Sequence, residues 1–550
     1  MYNRWYDIAD EGGMLLQDEW QFWGTTGTKK QIEAEFLDWI RDNWNHPSIV
    51  TCDPLNESSD EVVQQEIVPM MKSIDPTRPW ESHDFYEDHP YIYSLGPVLI
   101  DRKFGYSRSL DEIRDSQFPS QVNEYLWWWL DKENVPSELT RKVVGRWLGA
   151  EYTSRELVEH QSFLATELTE LFRRMRVRCI QLFVYISANA GSTSHWFLGD
   201  IAEARPKPVL DALKNAFEPF GVSIELWDRH FLPGEKRILG IYIFNDYPTE
   251  SVGRLKIGIK NNLEDWISLK DIVARVPAST TNVEELAVML PENSGDYYFS
   301  AELTDSRTGR ASLSKKIAHV YERPLPPPII KSASVAIIDE DFELIDFLDS
   351  LSIQSNRFKN SIDLNADVLI VVGNSIYKDV YRNSREDIEK WVAAGHTVIF
   401  TEPERGLEHS STAVLPVGRV LTVERRSDVD KGGYDSCLIQ EDHRSQLWDG
   451  IRRVDLRLFN GGYGGEIIPQ SDMRVEGEYV ALARSGLELK RVGILEYRSG
   501  KGKVIVSSVE LGGRLSGKEV KNLFDRRHDP VACKFLLNLI TYALTEGKSY

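Results

Sequence analysis

Two glutamates bring the most chemistry to this chain of 550 residues. Glu57 closes the segment SIVTCDPLNES, where an apolar run ends in Asn56-Glu57. Glu124 closes a second such run in FPSQVNEYLWWWL and is followed by aromatics. A carboxylic acid with a raised pKa can protonate a leaving oxygen, while a second carboxylate attacks or activates water. Two carboxylates on the ends of different strands therefore meet the requirement of glycoside hydrolysis. Asn56 is suited to hydrogen-bond a sugar hydroxyl. In VYISANAGSTSHWFLGD a strand pattern runs into a polar loop and His195-Trp196, where Trp196 can floor a sugar subsite. Trp127 can serve a sugar face in the same way. Each feature also has a plainer reading. Asn-Glu can start a solvated loop, Trp127–Trp129 can be core, and Trp196 can plug the end of a barrel.

Such residues need elements to hold them. From Met1 to about Pro219, short apolar runs alternate with amphipathic helical patterns. The expected strands are Met14–Gln17, Ser48–Cys52, Pro79–Ser82, Tyr91–Leu95, Ser120–Asn123 and Ile180–Ile186. Helical periodicity covers Lys29–Asn43, Asp60–Ser73 and the stretch from Glu138 to Arg174. This alternation predicts a parallel sheet, most simply a (β/α) barrel whose active face lies at the C-terminal strand ends. The count is six strands, whereas a closed barrel of this type has eight. From about Phe220 to Glu322, alternating strands such as Arg237–Phe244, Val252–Lys260 and Asp296–Leu303 predict a β-sandwich. Arg323-Pro-Leu-Pro-Pro-Pro328 opens a semi-rigid linker (323–331). Residues 332–550 have the texture of a flavodoxin-like, doubly wound α/β domain. The fold class expected is thus multidomain α/β: an incomplete (β/α)8 TIM barrel, an immunoglobulin-like sandwich, then the doubly wound domain.

Bulk properties narrow the function classes. The net charge of −20 disfavours nucleic acid and anionic membranes, which need a basic surface. No apolar run approaches the roughly 20 residues of a membrane span, and the N-terminus shows no signal-peptide pattern. Cys52, Cys179, Cys437 and Cys533 are scattered without a CxxC pair, so no metal site or disulfide framework is expected. No cofactor is implied.

The first 220 residues resemble the barrel domain of glycoside hydrolase family 2. YDIADEGGMLLQDE looks like its third-strand motif. RDNWNHPSIVTCDPLNE is similar to its acid/base segment and IDPTRPWESHD to its fifth-strand motif, where His83 is a candidate substrate contact. VNEYLWWW takes the nucleophile's place, and the segment ending in Trp196 that of the eighth strand. The resemblance implies a retaining double displacement, with Glu57 as acid/base and Glu124 as nucleophile. Tyr91 or Tyr93 would be the tyrosine that supports the nucleophile. It further implies a neutral β-linked sugar, with β-galactoside preferred over β-mannoside and β-glucosaminide. No Asn-x-Lys element follows Trp196, where the chain reads FLGDIAEARPKPVL, and this argues against glucuronides. The family's earlier domains and first two barrel strands have no counterpart here. The expectation is therefore a barrel completed by a missing N-terminal part, a partner chain or self-association. The last domain resembles amidotransferase-like and β-galactosidase trimerisation-like modules. Its two candidate elbows, Gly373-Asn374-Ser375 and Thr401-Glu402-Pro403, lack the cysteine an amidotransferase needs. A non-catalytic role follows for it. The competing reading of the whole chain is a glycan-binding or scaffolding subunit that keeps the fold without catalysis.

Overall fold

The computed structural model describes residues 3–20, 22, 27–56, 58–89, 118–184, 195–261, 266–339, 343–403, 410–425, 437–461, 465–469, 471–516 and 526–545. Contacts divide the chain into two compact units. The first comprises Met1–Pro90, Tyr106–Tyr125 and Met175–Phe183, and the second the remainder.

Among the described residues, the first unit is built on five parallel strands: β1 (Leu16–Glu19), β2 (Ile49–Asp53), β3 (Tyr86–Asp88), β4 (Ser120–Tyr125) and β5 (Cys179–Leu182). β1 pairs with β2, and β3–β4–β5 form a second sheet, all in parallel register. Between them the chain at Trp80–Glu81 makes single parallel bridges, Cys52 to Trp80 and Glu81 to Phe85. The strands thus follow one another in sequence order, as in a barrel wall, but no ring closes among the described residues. Several expectations shift. The first strand starts at Leu16 rather than Met14, because Met14 and Leu15 lie exposed at 64% and 70%. Pro79–Ser82 contributes bridges rather than a strand. The strand that pairs with Ser120–Val122 is Tyr86–Asp88, ahead of the expected Tyr91–Leu95, which lies outside the described residues. The last described strand is Cys179–Leu182, and residues 185 and 186 of the expected Ile180–Ile186 lie outside the described residues.

Strand alternation explains how β1 serves two sides at once. Asp18 faces the helices: it accepts hydrogen bonds from Tyr6 Oη (2.6 Å), Trp39 Nε1 (2.7 Å) and Asn43 Nδ2 (3.0 Å). Its neighbour Gln17 faces the other way, into the polar layer described below. Helix Lys29–Asn43 starts with a capping box between Thr28 and Gln31. It buries Ile32, Phe36, Trp39 and Ile40. These pack with Phe22, Ile49, Cys52 and Trp80 into one apolar core. The expected helix Asp60–Ser73 forms as a π-helical turn, Val63–Ile67, followed by an α-helix, Val68–Ile74. Pro69 supplies the reason. It lacks an N–H and crowds the carbonyl four residues back, which a wider turn relieves.

In the second unit, the stretch from Glu138 to Arg174 is two helices, Glu138–Leu148 and Ser154–Arg174. Gly149, at φ 86°, ends the first. Thr153 and Glu156 start the second with reciprocal bonds: Thr153 N donates to Glu156 Oε2 (2.8 Å), and Glu156 N to Thr153 Oγ1 (3.2 Å). The sandwich has a three-stranded sheet, ordered Thr280–Met289, Lys236–Asn245, Phe220–Glu225. Its partner has five strands, ordered Trp266–Val276, Ser251–Asn261, Gly295–Asp305, Ala311–Val320, His230–Phe231. Alternate residues of both sheets, such as Ile241 and Ile243 against Leu255, Ile257, Phe299 and Leu303, share one core.

The last domain departs from a purely parallel sheet. Its eight strands run in the order Gln354–Arg357, Ser334–Ile338, Val368–Val372, Thr397–Thr401, Gly502–Ser507, Arg491–Ser499, Val480–Ser485, Ile439–Gln440. The first five are parallel; the last three are antiparallel. A separate three-stranded antiparallel sheet is inserted after Thr401. The parallel strands inside the edge strand Gln354–Arg357, which is largely exposed, are buried on both faces. Val335, Ile337, Val368 and Ile370 enter one core with helix Pro530–Leu544. Ala336, Ile338, Leu369 and Val371 enter the other with helix Asp379–Ala393. Both expected elbows bend through the left-handed region, at Gly373 (φ 53°) and Glu402 (φ 55°). At the second elbow Glu402 Oε1 accepts the N–H groups of Leu511 (2.5 Å) and Gly512 (2.9 Å).

A buried polar joint ties the sandwich to this domain. Asp529 caps helix Pro530–Leu544 by accepting from Val531 N and Ala532 N (2.8 and 3.1 Å). Its second oxygen meets His230 Nδ1 at 2.9 Å and accepts Asn460 N at 2.7 Å. Asn460 Oδ1 in turn accepts the N–H groups of Arg229 and His230. Burial opposes both charges. Even so, Asp529 holds the His230 pKa above the usual histidine value, and His230 helps hold Asp529 below the usual carboxylate value.

Candidate active site

Each parallel strand of the first unit sends a polar side chain into one layer. Gln17 on β1 is its hub. Its Nε2 donates to Asp53 Oδ2 on β2 (3.1 Å) and to Glu87 Oε2 on β3 (2.6 Å). Its Oε1 accepts from Gln121 on β4 and from Gln181 Nε2 on β5 (2.9 Å). An inward-facing layer drawn from successive strands is how a barrel wall fills its interior. Here the layer is polar, which is costly to bury unless its groups are paired. That cost marks a site rather than a core.

Four carboxylates and one imidazole stand at the strand ends. Asp53 ends β2, Glu81 lies at the bridge beside it, Glu87 sits in β3, and Glu124 comes near the end of β4. His89 Nε2 meets Glu87 Oε1 at 2.6 Å, and its Nδ1 lies 3.8 Å from Glu124 Oε2. The imidazole thus links the two glutamates. Burial pushes the Glu81 carboxyl up to about 7, and the Asp53 charge adds to this. Burial pushes Asp53 up to about 8, with the neighbouring Glu87 charge raising it further. Near neutral pH this arrangement keeps protonated carboxyls beside a glutamate that faces a histidine. A carboxyl held protonated toward neutral pH is suited to act as an acid. The expectation of no metal remains a reading of the sequence alone. Among the described residues, no group of three or more His, Cys, Asp or Glu is arranged to hold a metal ion.

The sequence-derived candidates fall out as follows. Glu124 is in the cluster. Asn56 sits at the turn after β2 with its Oδ1 buried and without a hydrogen-bond partner. Asn123 Oδ1, beside Glu124, is in the same condition. Glu57, Tyr91 and Tyr93 lie outside the described residues. His83 is exposed, with its Nδ1 3.0 Å from Asp84 Oδ1. Trp127 and Trp196 belong to the second unit. There Trp127 packs on Trp129 (4.6 Å between centroids), and Trp129 stacks on His195 (5.2 Å). Sequence reasoning missed Asp53, Glu81, Glu87, His89 and the three glutamines. The alternation Glu87-Asp-His89 put two of them on one face of a strand, but charged residues in a short run read as a loop.

None of the described helices is long and apolar enough to cross a membrane. No protein-family profile matches the chain, and no curated relative matches it in sequence. Solved structures do. The β-D-mannosidase of Dictyoglomus thermophilum matches at 14% identity with a TM-score of 0.43, covering 62% of this chain and 47% of that one. A calcium-binding mutant of Bacteroides uniformis β-glucuronidase 2 matches at 16% identity and a TM-score of 0.27, covering 61% and 41%. The same enzyme covalently bound to a cyclophellitol-6-carboxylate aziridine matches at 14% and 0.27, covering 60% and 41%. The chain spans less than half the length of each of these proteins. The functional reading rests on the site's own geometry.

Proposed function

We propose that this chain is a β-glycosidase working by double displacement. The observation that carries the reading is the convergence of Asp53, Glu87 and Glu124 from successive parallel strands, with Glu81 at the bridge beside Asp53 and His89 between the two glutamates Glu87 and Glu124. Glycoside hydrolysis needs one carboxyl that is protonated near neutrality and one that is ionised. In this reading Glu124 attacks the anomeric carbon and forms a glycosyl-enzyme ester. Glu57 protonates the leaving oxygen and then deprotonates the incoming water. His89 orients Glu124, and Asn56 receives a sugar hydroxyl. A terminal β-linked neutral sugar is the preferred substrate, with β-galactoside first.

The test is a panel of aryl β-galactoside, β-mannoside, β-glucosaminide and β-glucuronide, followed by trapping. A 2-fluoro analogue of the best substrate slows breakdown of the ester, so the labelled peptide can be read by mass spectrometry. The expected label is on Glu124. Turnover of none of the four, or a label on another carboxylate, overturns the assignment. The competing reading, a glycan-binding subunit without catalysis, gives saturable sugar binding and no label.

A further inference from the structure

The second unit holds a cleft of about 470 Å³ that the glycosidase reading does not use. It opens among helix Ser154–Arg174, the sandwich strands and the segment around Arg457. Its size is that of a small-molecule site, and most of its wall is apolar or aromatic. Trp147, His160 and Phe163 form a continuous ring surface, with His160 centred 5.1 Å from Trp147 and 5.9 Å from Phe163. Two guanidinium groups lie against it: Arg229 over Phe163 at 5.6 Å, and Arg457 over Trp147 at 5.3 Å.

The charges of the wall are unevenly matched. Glu156 is engaged by Arg453 at 2.6 Å, Glu159 by Arg155 at 2.6 Å and Glu167 by Lys316 at 2.7 Å. Each of these carboxylates therefore has a cation beside it, Lys316 being shared between Glu167 and Glu170 (3.0 Å). Arg229 has no carboxylate or hydrogen-bond acceptor in reach of its guanidinium among the described residues, and feels Glu167 only at a distance. Burial without a bonded counter-charge is unfavourable for a guanidinium. An anion delivered into the cleft would relieve it, in the planar two-bond geometry that arginine favours.

We infer that this cleft is a binding site for a small organic anion. Its charged head, a carboxylate or a phosphate, lies on Arg229, and its ring lies on the Trp147–His160–Phe163 surface. The site is separate from the strand-end carboxylates and stands whether or not the chain is a glycosidase.

The experiment is titration calorimetry of the full chain with 4-hydroxybenzoate and D-glucuronate as carboxylates, phenyl phosphate as phosphate, and benzyl alcohol and D-glucose as neutral controls. At least one anion is expected to bind with a Kd below about 1 mM, with its neutral analogue at least about tenfold weaker. Which head group binds decides between carboxylate and phosphate. Arg229→Gln keeps the backbone bonds at this position and is expected to weaken the anion by roughly tenfold to a hundredfold. Phe163→Leu, which keeps the charge, is expected to weaken ring anions but leave inorganic phosphate unchanged. Absence of binding by every anion, equal binding of neutral analogues, or an unchanged Kd in Arg229→Gln overturns the proposal. If that variant fails to fold, loss of ring discrimination in Phe163→Leu still decides it.

Discussion

Every polar atom of the Gln17 amide is engaged, and it was invisible as a site residue in the sequence. A glutamine in LLQDE reads as the polar half of an alternating strand. Only the parallel register, which lines it up with residues from four other strands, gives it a role. Glu124 was legible because a glutamate at the end of an apolar run is locally anomalous. His89 was not, since its partners Glu87 and Glu124 are brought together by pairing between β3 and β4. His89→Gln is expected to lower kcat/KM by about tenfold or more through loss of the imidazole between Glu87 and Glu124. A changed acid limb of the pH–rate profile separates this from a merely structural defect, and an unchanged profile counts against the role given to His89. The raised carboxyls make a second prediction. Glu81 at about 7 and Asp53 at about 8 bind protons in the folded state that the unfolded chain, at about 4, has already released. Their contribution is thus fully present below about pH 4 and is lost as pH rises through 7 to 8. Urea midpoints should fall from pH 5.5 to 8.5. The fall should be smaller in Glu81→Gln combined with Asp53→Asn, and equal slopes would contradict the shifts.

At the scale of elements, periodicity located most helices but not their breaks. Glu138 to Arg174 looks continuous because Gly149 and Thr153 interrupt it for only a few residues. TSRE is a capping box, and its Thr-x-x-Glu spacing was readable. Thr153→Ala should cost about 1 kcal/mol in chemical denaturation, the usual worth of such a cap. A change within error would mean that tertiary packing alone positions helix Ser154–Arg174. The π-helical turn before Pro69 was readable too, since a proline inside an amphipathic pattern demands a local change of winding. The short barrel strands were harder. Their inward faces are polar, so the apolar signal that marks a strand is weak where the site is strongest. That displaced the first strand by two residues and hid Tyr86–Asp88 behind a run of charge.

At the scale of the whole chain, strand Phe220–Glu225 begins where the texture changes, and strand Ser334–Ile338 follows the prolines after Arg323. The antiparallel edge of the last sheet was not foreseen, although Val480–Ser485, Arg491–Ser499 and Gly502–Ser507 follow one another closely in sequence. Neither was the joint at His230, Asn460 and Asp529, whose members carry no local mark. Asp529→Ala removes the helix cap, the partner of a buried imidazole and the acceptor of Asn460 N–H together. Breaking a buried pair from one side costs about 3–5 kcal/mol. The melting transition that reports sandwich and α/β domain together should therefore drop and split in two; a single transition at the original temperature would show the joint to be dispensable.

The same joint has a consequence for how the chain is made. His230 and Asp529 stand 299 residues apart. At a synthesis rate of about 5–20 residues per second, His230 is finished on the order of 15–60 s before its partner exists. The sandwich is complete by Val320, so it can fold during that interval. It then presents a socket of unsatisfied backbone N–H groups and an imidazole that stays hydrated and titrates freely until the final helix docks. Nascent chains stalled before Asp529 would expose this socket, making it a natural mark for chaperone binding during biosynthesis.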